Sequence, residues 1–247
     1  MTDIKFYGKF FDDGTGGHSG GGHSTAIDFK LGRLDGMQKA LSQLGRMAAD
    51  FGRSAADIAA PFQNHTTDVI YVDAPEFRNR IADGIVTDKP GIILCIRAAD
   101  CAPIMLSDKK NGVIGAIHAG WRGAINGVIE NTIAEMIRRG ARQEHIAATI
   151  GPMLMGKSFV AKDNMLALLA SVNPPGYEKH LIEHNKLHFN FEEFIQNKLI
   201  ACGINRDRIT MPTIDTATSP EWYSYRRRID ANLELDGHNT ALICMNC

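Results

Sequence analysis

The sequence predicts a single α/β (α+β) domain built on a mixed β-sheet that helices flank. Three observations lead to this prediction: short continuous apolar runs, amphipathic stretches at helical spacing, and an order of the two that does not strictly alternate. Continuous apolar runs are typical of strands that are covered on both faces, whereas apolar residues recurring every three or four positions are typical of helices. No internal repeat and no Pro/Ser-rich linker divides the chain, so we expect one domain over residues 1–247.

Two patterns place the elements along the chain. Apolar residues at helical spacing predict helices over residues 34–47 and 125–136, and residues 165–169 and 191–200 are further helix candidates. Short apolar runs predict strands over residues 69–72, 92–96, 113–117, 147–150, 209–211 and 240–244. Gly52 and Gly140 follow the first two helices, and the Gly151-Pro152 pair ends the strand at 147–150.

The composition is that of a globular protein without a nucleic-acid or membrane partner. Of the 247 residues, 44% are hydrophobic and 22% are charged, so the chain can bury a sizeable core. A net charge of −1 without a basic stripe argues against binding to nucleic-acid phosphates. The sequence shows no secretory signal and no apolar run of the ~18 residues that a membrane helix needs. Because the five cysteines are irregularly spaced and no signal is visible, we expect reduced thiols and a cytoplasmic protein. The lack of long exposed apolar runs makes a monomer the default expectation.

Three residues with metal-binding side chains stand at or beside the ends of predicted strands. His65 precedes the strand at 69–72, Cys101 follows the strand at 92–96, and His118 ends the strand at 113–117. Loops from separate strand ends converge on one place, and one thiolate with two imidazoles suits zinc while leaving a fourth position open. From spacing alone the alternative is favoured, in which the cysteine packs as a small hydrophobe and the histidines are ordinary polar residues.

A series of short motifs runs in order along most of the chain: FQNH (62–65), ADGIVT (82–87), ADCAP (99–103), HAGWRG (118–123), IGP (150–152) and YSYRR (223–227). In combination they resemble the laccase-domain family, also called the YfiH-like, purine nucleoside phosphorylase or polyphenol-oxidase family. The resemblance implies a fold similar to that of a deamidating toxin. It also implies that His65, Cys101 and His118 bind Zn²⁺, with copper binding only adventitiously.

The resemblance implies phosphorolysis of adenosine, inosine and methylthioadenosine, together with deamination of adenosine. The small-molecule partners expected are therefore a purine nucleoside and phosphate. Asp83 and Asp100 are candidates for general acid–base catalysis or for support of the metal ligands, although a buried salt bridge is an equally good interpretation of either. Trp121 either stacks on a base or belongs to the core, and the second role is the commoner for tryptophan.

Further residues of these motifs are candidates for binding phosphate or other substrate groups. Arg122, Arg226 and Arg227 carry guanidinium groups, whose fork geometry matches phosphate oxygens. Ser224 and Thr87 are additional candidates for substrate contacts. The glycine-rich segment over residues 15–24 either adds backbone N–H donors around a ligand or is a surface loop.

The sequence departs from the family pattern at three places that do not include the proposed metal ligands. Ala217 stands where the family has the cysteine of a D-x-C-T motif, and His238 stands where it has an arginine after glycine. The aromatic residue expected after Gly-Pro is displaced to Phe159. These departures bear on anion binding and on substrate preference.

Three other functions compete with the zinc enzyme. The first is a hydrolase with Cys101 as nucleophile and His118 as base, or a related amidase that edits peptidoglycan precursors. The second is a copper-dependent phenol oxidase, although such enzymes need many paired histidines and the sequence has no HxH pair. The third is a binding module without catalysis. His65 distinguishes the first of these, because a metal site needs it as a ligand and a Cys–His pair does not.

Overall fold

The computed structural model describes residues 2–10, 42–183, 185–232 and 237–245. The predicted helix over 34–47 lies partly, and the glycine-rich segment over 15–24 wholly, outside these residues. The α-helices are α1 (residues 42–49), α2 (Trp121–Asn126), α3 (Val128–Arg138), α4 (Asp163–Val172), α5 (Phe191–Ala201) and α6 (Tyr225–Asp230). The strands are β1 (Thr2–Phe10), β2 (Ile58–Phe62), β3 (Val69–Tyr71), β4 (Phe77–Ile81), β5 (Gly84–Thr87), β6 (Ile93–Ala98), β7 (Ala102–Asp108), β8 (Val113–Ala119), β9 (Ala147–Ile150), β10 (Leu181–Glu183), β11 (Leu187–Phe189), β12 (Ile209–Thr210) and β13 (His238–Met245).

The strands form two large mixed sheets and one small hairpin. The first sheet has the order β1-β13-β6-β2-β4, the second has the order β12-β9-β7-β8-β5-β3, and β10 pairs with β11. In the first sheet β2 is parallel to β6, whereas β13 is antiparallel to β6. In the second, β5 is parallel to β3 and antiparallel to β8. The predicted mixed α+β class is confirmed, with two main sheets in place of one, while a domain spanning 1–247 stays a prediction.

Buried side chains separate the sheets and helices into four layers. Helix α1 packs on the outer face of the first sheet through Leu44 and Met47. The two sheets pack face to face, and α2 to α5 cover the outer face of the second sheet. Side chains alternate accordingly along β7, where Ile104 and Leu106 face the helices and Met105 faces the first sheet. Because both faces are covered, such strands have nearly continuous apolar sequences.

The long helix predicted over residues 125–136 is divided in the structure. Gly127 has a φ of 112°, a left-handed conformation that ends α2 immediately before α3 begins. Glycine adopts this conformation without the steric cost that a Cβ would bring. No helix within the described ranges has both the length and the apolar composition needed to cross a membrane.

The path of the chain between the two sheets brings several strand ends together. Strand β6 of the first sheet ends at Ala98 and β7 of the second begins at Ala102, so residues 99–101 form a crossing between sheets. His118 on β8 lies opposite Pro103 at the start of β7. The backbone N–H of His118 also donates to the carbonyl oxygen of Asp83, just before β5, at 2.7 Å. The candidate site lies where these ends meet.

Candidate metal centre

His65, Cys101 and His118 form a compact cluster at this junction. One nitrogen or sulfur atom from each lies within 4.8 Å of the others. The Cys101 Sγ is 3.7 Å from the His65 Nε2, and the two imidazole rings are 4.9 Å apart at an angle of 72°. His118 is buried, Cys101 is half-buried and His65 is exposed, so one side of the cluster reaches solvent.

Asp83 holds two sides of the cluster in place. Its fully buried carboxylate contacts the His118 Nδ1 at 2.7 Å and accepts from the backbone N–H groups of Asn64, His65 and Thr66. Burial opposes ionisation, but hydrogen bonding to His118, the charge of His118 and the donors of Thr66 together lower the pKa of Asp83. An ionised carboxylate only accepts, so Nδ1 of His118 carries the proton and Nε2 is left for a metal. These contacts occupy both carboxylate oxygens and favour the supporting role for Asp83 over acid–base catalysis.

Gln63 ties the loop that carries His65 to the first sheet. Its side-chain amide donates to the Arg97 carbonyl at 2.6 Å and accepts from the Arg97 N–H at 2.9 Å, as a neighbouring strand would. His65 itself has a φ of 57°, which is uncommon for a residue other than glycine. The bonds from Gln63 and Asp83 on either side stabilise this backbone conformation. Sequence analysis identified Gln63 only as part of a motif and missed its role.

Gly120 provides the space that the cluster occupies. A Cβ atom at this position would lie 2.6 Å from the Cδ2 of His65 and 3.2 Å from the Sγ of Cys101. The backbone of Gly120, with a φ of −69° and a ψ of 154°, suits any residue. Its requirement for glycine therefore comes from the cluster and not from the turn.

Replacing Gly120 with alanine is expected to displace His65 and to weaken metal binding on the order of tenfold or more, as perturbing the surroundings of metal ligands commonly does. A competition titration with a chelator measures the affinity. Gly45→Ala is the matched control, because a Cβ there meets only the Cβ of Ala55, at 3.9 Å. Equal affinities of both variants and the wild type would contradict the prediction.

The donor set of the cluster fits a zinc ion. Zinc takes thiolate and neutral imidazole ligands, and catalytic zinc sites keep a position open beside three protein ligands. Burial disfavours the thiolate, but the charge of His118 and hydrogen bonds from His118 and His65 outweigh it and lower the pKa of Cys101. Burial also disfavours the imidazolium, but Cys101 and Asp83 raise the pKa of His118. The cluster therefore favours the thiolate, which is the form that binds metals.

Asp100 connects the crossing over residues 99–101 to Thr216 and to the start of α6. Its carboxylate accepts from the Thr216 Oγ1 and from the Arg226 backbone N–H, both at 2.6 Å. Burial raises the pKa of Asp100, while hydrogen bonds from Thr216, Arg226 and Ser224 act in the opposite direction. Ser224 is itself buried and caps α6, its oxygen accepting from the Arg227 N–H at 3.1 Å. The structure thus places Ser224 near Asp100 as a helix cap.

The adjacent arginines 226 and 227, predicted together as phosphate ligands, have different surroundings. The guanidinium of Arg227 donates to four backbone carbonyls of one loop, those of Thr216, Ala217, Ser219 and Trp222. Within the described part of the chain, the guanidinium of Arg226 makes no hydrogen bond. Arg227 therefore stabilises the loop over residues 216–222, and only Arg226 is available to an anion.

Substituting Arg227 with lysine is expected to lower the free energy of unfolding by about 2 kcal/mol, because an ammonium cannot reach carbonyls that the planar guanidinium reaches together. Urea denaturation monitored by circular dichroism measures the change. Arg206→Lys serves as control, since the side chain of Arg206 donates to Gln196 in an exposed bond. A loss no larger than that of the control contradicts the prediction.

The remaining predicted residues are divided between the site and the core. Arg122 is exposed, and its guanidinium lies 4.2 Å from the ring centroid of Trp121. Trp121 packs against the buried core of the second sheet, which favours a core role for it. Thr87 is buried at the far end of β5, opposite Ile114, and its hydroxyl donates to the Val72 carbonyl at 2.7 Å. The structure does not bring Thr87 to the cluster.

The chain is similar to known proteins in sequence and in fold. A family model described as "Multi-copper polyphenol oxidoreductase laccase" matches residues 9–246. The chain belongs to this family. A purine nucleoside phosphorylase of Deinococcus radiodurans is 31% identical over 196 residues, which cover 79% of this chain and 74% of that protein. An adenosine deaminase, RL5, from an unknown prokaryotic organism is 27% identical over 60% of this chain and 55% of that protein.

A solved structure supports the fold of this family member. The YfiH protein of Bacillus licheniformis superposes with a TM-score of 0.76 over 85% of this chain and 82% of that one. The two sequences are 22% identical, so the likeness concerns the fold. The names of the relatives support an enzyme of this family, and His65, Cys101 and His118 form a possible metal-binding group in it.

Proposed function

We propose that this protein is a zinc enzyme that cleaves purine nucleosides by phosphorolysis and also deaminates adenosine. The observation that supports the proposal is the convergence of His65, Cys101 and His118 at a junction that is open on one side. The names of the relatives, a purine nucleoside phosphorylase and an adenosine deaminase, supply the two reactions. In phosphorolysis the bond between ribose and base breaks, phosphate joins the ribose and the base leaves with a proton. In deamination water supplies an oxygen to the base of adenosine, and the amino group leaves as ammonia.

The protein's own side chains orient the reactants. His65, Cys101 and His118 would hold the zinc, which would supply Lewis acidity when bound. Asp83 keeps a proton of His118 on Nδ1, so Nε2 is the nitrogen that would give up its proton and bind the metal. Arg226 beside Asp100 provides positive charge for the phosphate, because its guanidinium has no hydrogen-bond partner in the described part of the chain.

Arg122 supplies a second positive charge beside the cluster. It follows Gly120 by two residues and is exposed, with its guanidinium held against the Trp121 ring. A guanidinium held in this way retains donors at its edge for phosphate or ribose oxygens. Arg122 lies on α2 and Arg226 on α6, and we assign the anion to the space between their guanidinium groups.

A cysteine hydrolase is the alternative that the same residues permit. The Cys101 thiolate and the His118 imidazole are coupled, as a nucleophile and its base are. The hydrolase does not account for His65, whose Nε2 lies 3.7 Å from the Cys101 Sγ in an unusual backbone conformation. A metal accounts for all three side chains, and we therefore favour it.

Metal content and adenosine turnover, measured on one purified sample, test the proposal. We expect about one zinc per chain, in keeping with a three-ligand site. With phosphate we expect adenine and ribose 1-phosphate, and without phosphate only inosine and ammonia. Chelation abolishes both reactions, and added zinc restores them. Nucleoside turnover by metal-free protein, or copper-dependent oxidation of a phenol without nucleoside turnover, contradicts the proposal; amide hydrolysis by metal-free protein supports the hydrolase.

A further inference from the structure

The adjacent arginines 226 and 227 on α6 differ in what their guanidinium groups contact, and the Asp100 carboxylate binds the backbone of Arg226. Arg227 is bound to the carbonyls of the loop over residues 216–222. The backbone N–H of Arg226 donates to Asp100, and its side chain makes no hydrogen bond to the residues that the structure describes. The charge of Arg226 also opposes the effect of burial, which raises the pKa of the Asp100 carboxyl. Asp100 directly precedes Cys101, so the contact joins α6 to the metal cluster.

Asp100 is held by hydrogen bonds to three separate segments of the chain. Its two carboxylate oxygens accept from Thr216 and Arg226, and its carbonyl accepts from the Leu154 N–H at 2.9 Å. Its φ is 83°, a left-handed conformation that only glycine adopts without strain and that asparagine and aspartate tolerate better than other residues. A half-buried carboxylate in an unfavourable backbone conformation costs stability, so this arrangement calls for an explanation beyond the fold.

We propose that Asp100 is a positioning residue for Arg226: it fixes the first turn of α6 against the crossing that carries Cys101, and so sets the guanidinium where phosphate binds. The inference rests on the proposed function, because phosphate is a substrate only if the enzyme is a phosphorylase. Asp100 itself needs no contact with the substrate. Its removal is therefore expected to weaken phosphate binding while metal binding and the KM for adenosine change little.

The backbone of Asp100 allows a clean substitution. Asp100→Gly removes the carboxylate without straining a φ of 83°. Asp100→Asn removes the charge but keeps the contacts, because the amide oxygen accepts from the Arg226 N–H while the amide nitrogen donates to the Thr216 hydroxyl. Comparing the two variants distinguishes the effect of losing the contact that positions Arg226 from the effect of losing the charge of Asp100.

The experiment measures the KM for inorganic phosphate, the kcat for adenosine and the zinc content of the whole protein. We expect Asp100→Gly to raise the phosphate KM about 10- to 100-fold, the loss of a hydrogen-bonded contact to a charged group, with zinc retained. Asp100→Asn stays within about threefold of the wild type. In an Arg226→Gln background, Asp100→Gly adds little, since the residue through which it acts is already gone.

Three outcomes overturn the inference. They are an unchanged phosphate KM in Asp100→Gly, an effect that adds in full to that of Arg226→Gln, and loss of zinc from Asp100→Gly, which would mean that Asp100 acts through Cys101. If Asp100→Gly does not fold, Thr216→Val decides: it removes one hydroxyl bond to Asp100 and is expected to raise the phosphate KM about threefold. A wild-type enzyme that needs no phosphate overturns the proposed function as well, and so is distinguished from failure of the positioning alone.

Discussion

Cys101→Ala is expected to remove the metal and to lower kcat/KM for adenosine by at least about a thousandfold, since metal activation contributes several kcal/mol to catalysis. The thiolate is the only anionic ligand of the cluster, and the two imidazoles that remain belong to separate loops. Zinc content by plasma mass spectrometry, and turnover with and without phosphate, are measured on the same sample. Melting temperature is recorded to show that the variant is folded.

Cys202→Ala is the matched control for this substitution. Cys202 lies at the end of α5, is half-buried like Cys101, and is free of any disulfide. The control is expected to keep its zinc and its activity. Full zinc content in Cys101→Ala with activity lost would make Cys101 a nucleophile beside an unrelated metal, and full activity would place the reaction elsewhere in the molecule.

The cluster could be predicted from sequence only when the strand-end positions of its members were combined with the family motifs, because spacing alone favoured ordinary roles for them. His65, Cys101 and His118 each lie in or beside a loop next to a recognisable apolar run, and the structure brings their donor atoms together. Their roles as ligands remain a proposal. The residues that support them are harder to find, since Gln63 and Gly120 act through a backbone pairing and an empty volume. Neither feature has a signature in a single sequence.

Other properties could not be predicted from the sequence for reasons that are also physical. A continuous apolar run shows that both faces of a strand are covered but not by what, so the division into two sheets was missed. Strand β7 was missed because Pro103 interrupts its apolar pattern near the start. Arg226 and Arg227 are the same residue type at adjacent positions, so the sequence gives them the same predicted role. Only the position of the loop over residues 216–222, whose carbonyls bind Arg227, distinguishes them. Thr87 belongs to the ADGIVT motif, but it lies at the end of β5 that is away from the cluster.

Replacing Asp83 with asparagine is expected to weaken zinc binding about 10- to 100-fold, the usual consequence of losing a carboxylate behind a histidine ligand. The carboxylate accepts on both oxygens, from His118 on one side and from Thr66 at 2.6 Å on the other. An amide group turned toward Thr66 sets one donor against another and moves the loop that carries His65. Turned toward His118, it moves the imidazole proton to Nε2, the nitrogen that must bind the metal.

Asp108→Asn is the control that distinguishes a loss of zinc affinity from a general loss of stability. Asp108 is as fully buried as Asp83 and accepts from backbone N–H groups of Lys110, Asn111 and Arg142, at the opposite end of β7 from the cluster. Both variants are expected to lose about 2 kcal/mol of unfolding free energy, since each places an amide among buried donors. Only Asp83→Asn is expected to lose zinc affinity in a chelator competition. Equal affinities in the two variants would show that the ligand geometry of His118 does not depend on Asp83.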